Sequence, residues 1–168
     1  MNTKQTDNEN TGLPSYEIRP GQLQDVASIA SLLPELATFE VPQGRNPKDL
    51  WHGDLETLHR WRDGREPQVM VHVAQSNSGT IAGFTIVRLR EELMSHEPSA
   101  HLEAIVVAED ARGLGLGKQL LTNAEQRAQD AGAKTMTLHV FGNNKRARAV
   151  YQKSGYSEEL IRDIKYLG

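Results

Sequence analysis

The stretch Arg112–Lys118 combines residue types that bind an anionic group. It reads RGLGLGK, with glycine at alternate positions, an arginine before them and a lysine after them. It follows the β-branched run Ala100–Val107 and precedes apolar residues at helical spacing, so it predicts a turn into a helix N-terminus. Such a turn presents free backbone N–H groups to an anion. Lys118 opposes the helix dipole unless an anion is bound, and a solvent-facing Lys118 is the alternative interpretation.

Two nucleotide-binding motifs fit this stretch poorly. A Walker loop, G-x-x-x-x-G-K-[S/T], needs glycine where Arg112 stands and a hydroxyl where Gln119 stands. The Rossmann fingerprint, G-x-G-x-x-G, follows the first strand of its domain, whereas this stretch reads G-x-G-x-G and comes late in the chain. Neither kind of nucleotide site is therefore expected.

Length and composition narrow the class of protein. The chain has 168 residues, a net charge of −3 and no cysteine. These values predict one domain, 14–168, after a polar tail over 1–13 that we expect to be disordered. The absence of cysteine excludes disulfides, thiolate zinc sites and a cysteine nucleophile. With no basic stripe, no spanning apolar run and no secretory signal, we expect no nucleic-acid partner, no membrane partner and a cytoplasmic location.

The elements that must position the glycine stretch alternate in type. Hydrophobic patterns predict five strands, with one or two more in the tail after Gly155: Tyr16–Pro20, Val69–Gln75, Ile81–Leu89, Ala100–Val107 and Thr135–Val140. Helical spacing predicts four helices: one from about Val26 to Leu36 with Pro34 as a kink or an end, one over Asp54–Gly64 with Asp54 as N-cap, one over Gly115–Ala131 and one over Lys145–Ser154. The fold class is therefore α/β (α+β), antiparallel in its first half, with a later parallel strand pair.

Two sequence blocks resemble the GNAT superfamily of acyl-CoA-dependent N-acetyltransferases. The family signature [Q/R]-x-x-G-x-[G/A] is matched by Arg112–Gly117. A second family block, N-x-x-A-x-x-x-Y-x-x-x-G-[F/Y], is matched at every specified position, by Asn144, Ala147, Tyr151, Gly155 and Tyr156. The resemblance extends from about Tyr16 to the C-terminus. It implies a mixed sheet of six to seven strands, with a splayed parallel central pair and helices on both faces.

The resemblance also implies a site for acetyl-CoA as cosubstrate, without a metal. Its pyrophosphate would lie on the backbone amides of Arg112, Gly113, Leu114, Gly115, Leu116, Gly117 and Lys118. Its pantetheine arm would pair with Ile105, Val106 and Val107 as an added strand. A backbone N–H of Ile105 or Val107 would stabilise the oxyanion. Asn144 would contact the cofactor, and Tyr151 would reach its sulfur.

Two catalytic roles follow from the chemistry of amine acylation. Only a neutral amine attacks a thioester, so a base must take a proton, directly or through water. Glu103, two residues before Ile105, is the base that the resemblance implies, because many family members carry a glutamate there, and a structural carboxylate that orders water or binds a neighbour is the alternative. Tyr151 is the predicted acid for the leaving thiolate, and a packed aromatic is the alternative. Since the chain has neither cysteine nor a G-x-S-x-G elbow, we expect direct transfer in a ternary complex.

Histidine stretches do not predict a metal site. His96–His101 has the wrong spacing for a zinc helix and contains Pro98, and His101-Leu102-Glu103 lacks the paired cysteines of a zinc deaminase. His101 shares a strand face with Glu103, so it is expected to line the acceptor pocket or to have a structural role.

The acceptor amine is less well specified. Three segments are expected to surround it: Leu36–Trp51, Arg90–Ser99 and the last dozen residues. Their aromatic and acidic side chains could form a mouth for a cationic amine or simply a solvated face: Phe39, Glu40, Trp51, Glu91, Glu92 and Glu97. Weak similarity to diamine acetyltransferases also favours a small cationic amine. A protein lysine or N-terminal acetyltransferase and a non-catalytic acyl-CoA sensor are the alternatives. A homodimer through edge strands is a further expectation.

Overall fold

A five-stranded mixed sheet organises the computed structural model, which describes residues 15–167. The predicted disordered tail, 1–13, lies outside the described residues. The strands are β1 (Tyr16–Pro20), β2 (Val69–Ser76), β3 (Ile81–Glu91), β4 (Pro98–Val107) and β5 (Thr135–Leu138). They lie in sequence order, with antiparallel pairs from β1 to β4 and a parallel β4–β5 pair. The expected antiparallel first half and later parallel pair are confirmed.

The expectation of six to seven strands is wrong, because the C-terminal tail forms no strand within 15–167. Its apolar side chains point to solvent, with Ile161 86% and Leu167 88% exposed. Leu160 and Ile161 are adjacent, which breaks the alternation that a half-buried strand needs. The tail is held instead by side-chain contacts, including an ion pair between Arg148 and Glu158.

Residues 15–167 also form four α-helices and several short 3-10 segments, and the last α-helix follows the last strand. The α-helices are α1 (Val26–Leu32), α2 (His52–Arg62), α3 (Leu116–Asp130) and α4 (Lys145–Lys153). The α-helix α1 ends at Leu32, and Pro34 lies at the start of the 3-10 helix Leu33–Ala37 that follows α1, so the proline marks an end and not a kink. Asp54 is not the N-cap of α2, because the helix begins at His52 and Trp51 occupies the cap. No helix among residues 15–167 combines the length and apolar character that crossing a bilayer requires.

The two faces of the sheet carry separate apolar cores. On one face, α1 and α2 pack on the central strands through a cluster that includes Ile29, Leu33, Leu58, Phe84 and Val106. On the other face, α3 packs through Leu116, Leu120, Leu121, Ala124 and Ala128, and α4 adds Tyr151. The sheet is thereby held between helices, as predicted, and β4 lies at the centre of both cores.

Candidate active site

Strand β4 parts from β5 at its midpoint. Parallel pairing between them runs from Ser99 with Thr135 to Leu102 with Leu138 and then stops. On its other side, β4 stays paired with β3 as far as Val107. The edge of β4 that faces β5 is therefore open beyond Leu102 among the described residues.

A β-bulge accompanies this parting. Val87 of β3 pairs with Leu102, and the next residue back, Ile86, pairs with Ala104, so Glu103 is the extra residue on β4. A bulge bends its strand and changes the direction of a side chain. The parting of the strands and the placement of Glu103 thus share one local cause.

The open edge presents two backbone N–H groups. The N–H of Ala108 donates to the Ala82 carbonyl on β3, at 2.8 Å. Because successive N–H groups of a strand point to opposite sides, the N–H of Val106 also points to β3. The N–H groups of Ile105 and Val107 consequently point to the open edge, where an added extended chain could pair with them.

The glycine stretch follows at the end of this edge as a backbone nest. Gly113 and Gly115 adopt φ of 80° and 78°, a left-handed conformation that glycine accepts without strain. Gly115 is the N-cap of α3. Within residues 15–167, no group accepts a hydrogen bond from the N–H groups of 113–118. Alternating left- and right-handed residues before a helix N-terminus form a concave anion site.

The cations that flank the nest behave differently from one another. The Arg112 side chain turns away, donating from Nε to the Val107 carbonyl at 3.1 Å and from Nη2 to the carboxylate of Glu35. It therefore fixes the loop to the end of β4 and to the 3-10 helix after α1. Lys118 is exposed and lines a groove of about 460 Å³ on the outer side of α3.

Tyr151 of α4 packs against the apolar core on the α3 face of the sheet. It packs in one apolar cluster with Leu102, Ile105 and Leu138, and its ring meets Tyr156 edge to face with centroids 5.8 Å apart. Burial raises the pKa of Tyr151, so the phenol is protonated at neutral pH. Burial and then the nearby Glu125 carboxylate raise the pKa of Tyr156 as well. The Tyr156 hydroxyl nevertheless has no group in hydrogen-bonding geometry among the described residues.

Glu103 belongs to a chain of ion pairs that the sequence did not predict. Arg88 of β3 donates from Nε to Glu103 and from Nη1 to Glu66, the latter at 2.7 Å. Arg60 of α2 donates to the other oxygen of Glu66, also at 2.7 Å. Hydrogen bonds from Arg88 and then Arg60 lower the pKa of Glu66 to about 2. Glu103 is thus bound to a neighbour, as in the alternative interpretation, with its side chain 17% exposed.

Asp54 is a further carboxyl beside this chain. It lies in the first turn of α2, half-buried, one helical turn before the buried residues Thr57 and Leu58 on the same stripe. No residue within 15–167 donates a hydrogen bond to it, in contrast to Glu103. Burial and then the charge of Glu103 raise the pKa of Asp54 to about 7.

His101 is structural in its contacts. Its ring is 7% exposed, and its Nδ1 lies 3.0 Å from Arg90 Nη2 and 2.8 Å from Thr137 Oγ1. Because Arg90 can only donate, Nδ1 accepts and the proton is on Nε2. Burial, followed by Arg90, His139 and Arg88, lowers the pKa of His101 to about 4, so the ring is neutral at physiological pH.

Only some of the residues predicted to surround the acceptor amine lie near one another in the structure. Phe39 and Phe141 stack with centroids 5.6 Å apart, and Asn143 donates to the Glu40 carbonyl at 2.6 Å. These contacts join the loop after α1 to the β5–α4 loop, at the end of the sheet where β4 opens. Trp51 is half-buried against the α1–α2 core.

The other acidic residues of the predicted mouth lie at the opposite end of β4. Glu97 forms an ion pair with Lys134, and the Glu92 carboxylate accepts from the Ser95 N–H at 2.6 Å within its own loop. Glu91 lies 3.7 Å from His96. Asn144, the remaining predicted contact, uses its side-chain oxygen to cap α4, accepting from the Ala147 N–H at 3.1 Å.

Sequence reasoning missed two site residues, Arg88 and Asp54. The sequence analysis assigned no role to Arg88, which is the last but one residue of the predicted strand Ile81–Leu89. Asp54 was interpreted as a cap, although its spacing of three and four residues from Thr57 and Leu58 was a signal that it faces the sheet. Among residues 15–167, no group of three or more histidine, aspartate or glutamate side chains is placed to hold a metal ion.

Comparisons with known proteins agree with this geometry. An uncharacterised N-acetyltransferase of Bacillus subtilis, YhfO, is 30% identical over 84% of this chain and 90% of its own length. Aminoalkylphosphonate N-acetyltransferase of Salmonella typhimurium is 26% identical over 92% of this chain and 94% of its own. The fold matches that of a Pyrococcus furiosus protein assigned as an acetyl transferase, with a TM-score of 0.74 and 24% identity over 91% of this chain and 100% of that one.

The family profile described as the acetyltransferase (GNAT) family matches residues 32–156. That range includes the glycine nest, the open edge of β4 and both blocks from which the resemblance was drawn. The chain therefore belongs to the GNAT family of acetyltransferases.

Proposed function

We propose that this acetyltransferase transfers the acetyl group of acetyl-CoA directly to the primary amine of a small cationic molecule. Acetyltransferases of the family use acetyl-CoA as cosubstrate. The observation that carries the proposal is the continuity between the open edge of β4 and the nest at 113–118. A ligand with an extended, amide-bearing arm and a pyrophosphate can engage both at once.

In the proposed complex, the two parts of the site hold different parts of the cosubstrate. The free N–H groups of the nest bind the pyrophosphate oxygens. The N–H groups of Ile105 and Val107 pair with the pantetheine arm or with the thioester oxygen. Asn144 keeps its side-chain NH2 free to donate, because only its oxygen is used in capping α4.

The proposed reaction forms one C–N bond and breaks one C–S bond. The amine nitrogen attacks the thioester carbon, and the charge that develops on the carbonyl oxygen is stabilised by a backbone N–H of the open edge. The amine loses a proton to a carboxylate of the site, directly or through water. The leaving thiolate takes a proton from Tyr151 of α4, and the second proton lost by the attacking nitrogen restores the phenol through water. Amide and thiol are the products.

The proposed acceptor follows from the charge on the α1–α2 side of β4. Glu103 lies there at the bulge, held in place by Arg88. The relative from Salmonella acts, by its name, on aminoalkylphosphonates, which supports a small amine as acceptor but not its net positive charge. A carboxylate that is partly exposed near the open edge can accept a charge-assisted hydrogen bond from an ammonium group, which favours a primary amine as acceptor.

Thermal unfolding with added ligand tests the cosubstrate site. At 100 times its Kd, a ligand specific for the native state stabilises by about 2.7 kcal/mol, which raises the Tm of a domain of this size by roughly 5–10 °C. We expect that shift with acetyl-CoA and none with ATP or NAD. Thiol release with spermidine, kanamycin, 2-aminoethylphosphonate and a short alanyl peptide then identifies the acceptor class. Binding without turnover of any amine would support a sensor instead.

Replacing Gly117 by alanine separates cosubstrate binding from folding. Gly117 is in the first turn of α3 without positive φ, and an added Cβ would meet only Val107, at an ordinary 3.6 Å. We expect Gly117→Ala to leave Tm unchanged or slightly raised. We also expect it to weaken acetyl-CoA binding about tenfold, because the added methyl would crowd the proposed pyrophosphate site. A tenfold loss corresponds to only about 1.4 kcal/mol of binding free energy.

Gly115→Ala is the matched comparison. Its added Cβ meets nothing within 4 Å, but its φ of 78° strains any other residue. This variant should lose about 1–2 kcal/mol of stability. Calorimetric titration with acetyl-CoA measures the affinity of both variants. Wild-type affinity in Gly117→Ala would show that the nest is not part of the binding site.

A further inference from the structure

Five charged or ionisable side chains lie on the α1–α2 side of the sheet, and one of them, the carboxyl of Asp54, is not paired with a cation from the described part of the chain. Arg60 and Arg88 supply two positive charges, and Glu66 and Glu103 supply two negative charges, so these four groups balance. Asp54 lies one helical turn before Thr57, whose hydroxyl accepts from Arg60 Nη2 at 3.2 Å, so it borders this cluster, and it has no ion-pair partner among the described residues. When Asp54 is ionised, the cluster lacks one cation.

The two carboxyl groups differ in how they are held. Glu103 accepts two hydrogen bonds from one guanidinium, from Nε and from Nη2, the latter at 3.5 Å. That contact fixes the orientation of the carboxylate. Asp54 is half-buried on the rigid helix α2, without a donor from residues 15–167, and is free to exchange a proton.

We propose that Asp54 is the proton-accepting carboxylate of the acceptor site and that Glu103 is the ionised carboxylate that orients the ammonium group. This inference rests on the proposed function. The primary ammonium of the acceptor supplies the missing cation between Asp54 and Glu103. It gives one proton to Asp54, directly or through water. The neutral amine attacks the thioester, and Asp54 later releases the proton to solvent.

The charged surroundings of Asp54 support this division of labour. From the sheet, Glu103 of β4 opposes its ionisation, and Arg88 of β3 is engaged by two carboxylates. From α2 and the turn after it, Arg60 and Glu66 are paired with each other. His52 pairs with Glu56 on the exposed side of α2, and Lys48 and Asp49 of the preceding segment are exposed. A pKa of about 7 suits a base that works at neutral pH, because such a base is ionised in the free enzyme and still basic enough to hold a proton.

The pH dependence of turnover tests the assignment. With the best amine of the panel, kcat/KM of the wild type should rise with pH through about 7, as Asp54 loses its proton. Asp54→Asn should lower kcat/KM about 100-fold at pH 8 and abolish that ionisation. Glu103→Gln should mainly raise KM for the amine and keep the ionisation but move it to lower pH, because the charge of Glu103 raises the pKa of Asp54. Glu56→Gln, an exposed change on the same helix, should match the wild type.

Thermal unfolding provides a readout that needs no acceptor. The native state holds a proton on Asp54 up to about pH 7, whereas an unfolded aspartate releases it near pH 4. Wild-type stability therefore falls as pH rises between these values, and a non-titrating asparagine removes that fall. The difference in Tm between Asp54→Asn and the wild type should therefore become more positive as the pH is raised from 5 to 8.

The outcomes separate the two proposals. Wild-type turnover with an unchanged pH profile in Asp54→Asn would overturn the role of Asp54 alone. Complete loss of the ionisation in Glu103→Gln, in place of a shift to lower pH, would return the role of base to Glu103. A wild-type protein that neither binds acetyl-CoA nor acetylates any amine would overturn the proposed function, and the inference with it.

Discussion

Changing Tyr151 to phenylalanine is expected to lower kcat about 100-fold, because general acid catalysis contributes roughly that much or more. The ring lies in the cluster that brackets the parting of β4 and β5, so phenylalanine keeps its packing and its edge-to-face contact with Tyr156. Only the hydroxyl is lost. We therefore expect unchanged Tm and unchanged affinity for acetyl-CoA, measured by unfolding and by calorimetric titration.

Tyr156→Phe is the matched control for this change. The two rings share one cluster, and the Tyr156 hydroxyl is buried without a hydrogen-bond partner among the described residues. Its removal should leave kcat unchanged and change stability by less than about 1 kcal/mol, because the packing of both rings is kept. Equal loss of turnover in the two variants would show that Tyr151 acts through packing and not as an acid.

The elements that position the cosubstrate site could be predicted from sequence because their signals are local. A β-branched run, alternating glycines and a 3.6-residue pattern specify the strand, the nest and the helix in turn, and Gly113 and Gly115 adopt the left-handed backbone that this arrangement uses. The C-terminal tail has no comparable local signal. Whether its apolar residues form a strand depends on a partner edge, and β5 ends after four residues at Leu138.

The polar face of the site could not be predicted because it depends on contacts between distant residues. Arg88 and Glu103 are 15 residues apart and meet only because β3 and β4 pair with a bulge at Glu103. Arg112 looked like a phosphate ligand, yet it binds Glu35, which is 77 residues away. The residue types suggested an anion-binding loop and a carboxylate in the site. Which of these charges are already paired within the protein depends on how the strands and helices pack, and the sequence alone did not show it.

Of the substitutions that add one methyl group to the sheet, Gly83→Ala should lower the stability of the protein most. An added Cβ would lie 2.6 Å from the Val106 carbonyl oxygen and 2.9 Å from Leu120 Cδ1. Leu120 could rotate, but a backbone oxygen in a paired strand cannot move without shifting β4. Overpacking of this kind costs about 2–3 kcal/mol, so we expect Tm to fall by roughly 5–10 °C.

The same shift should reach the cosubstrate site, because Gly83 pairs with Val107, whose N–H belongs to the open edge. Acetyl-CoA affinity should therefore fall together with Tm. Gly53→Ala is the control: that glycine is in α2, and an added Cβ meets nothing within 4 Å. It should raise stability by about 0.5–1 kcal/mol and leave affinity unchanged. A Gly83→Ala protein with wild-type Tm would mean that β3, β4 and α3 do not approach as closely as their contacts indicate.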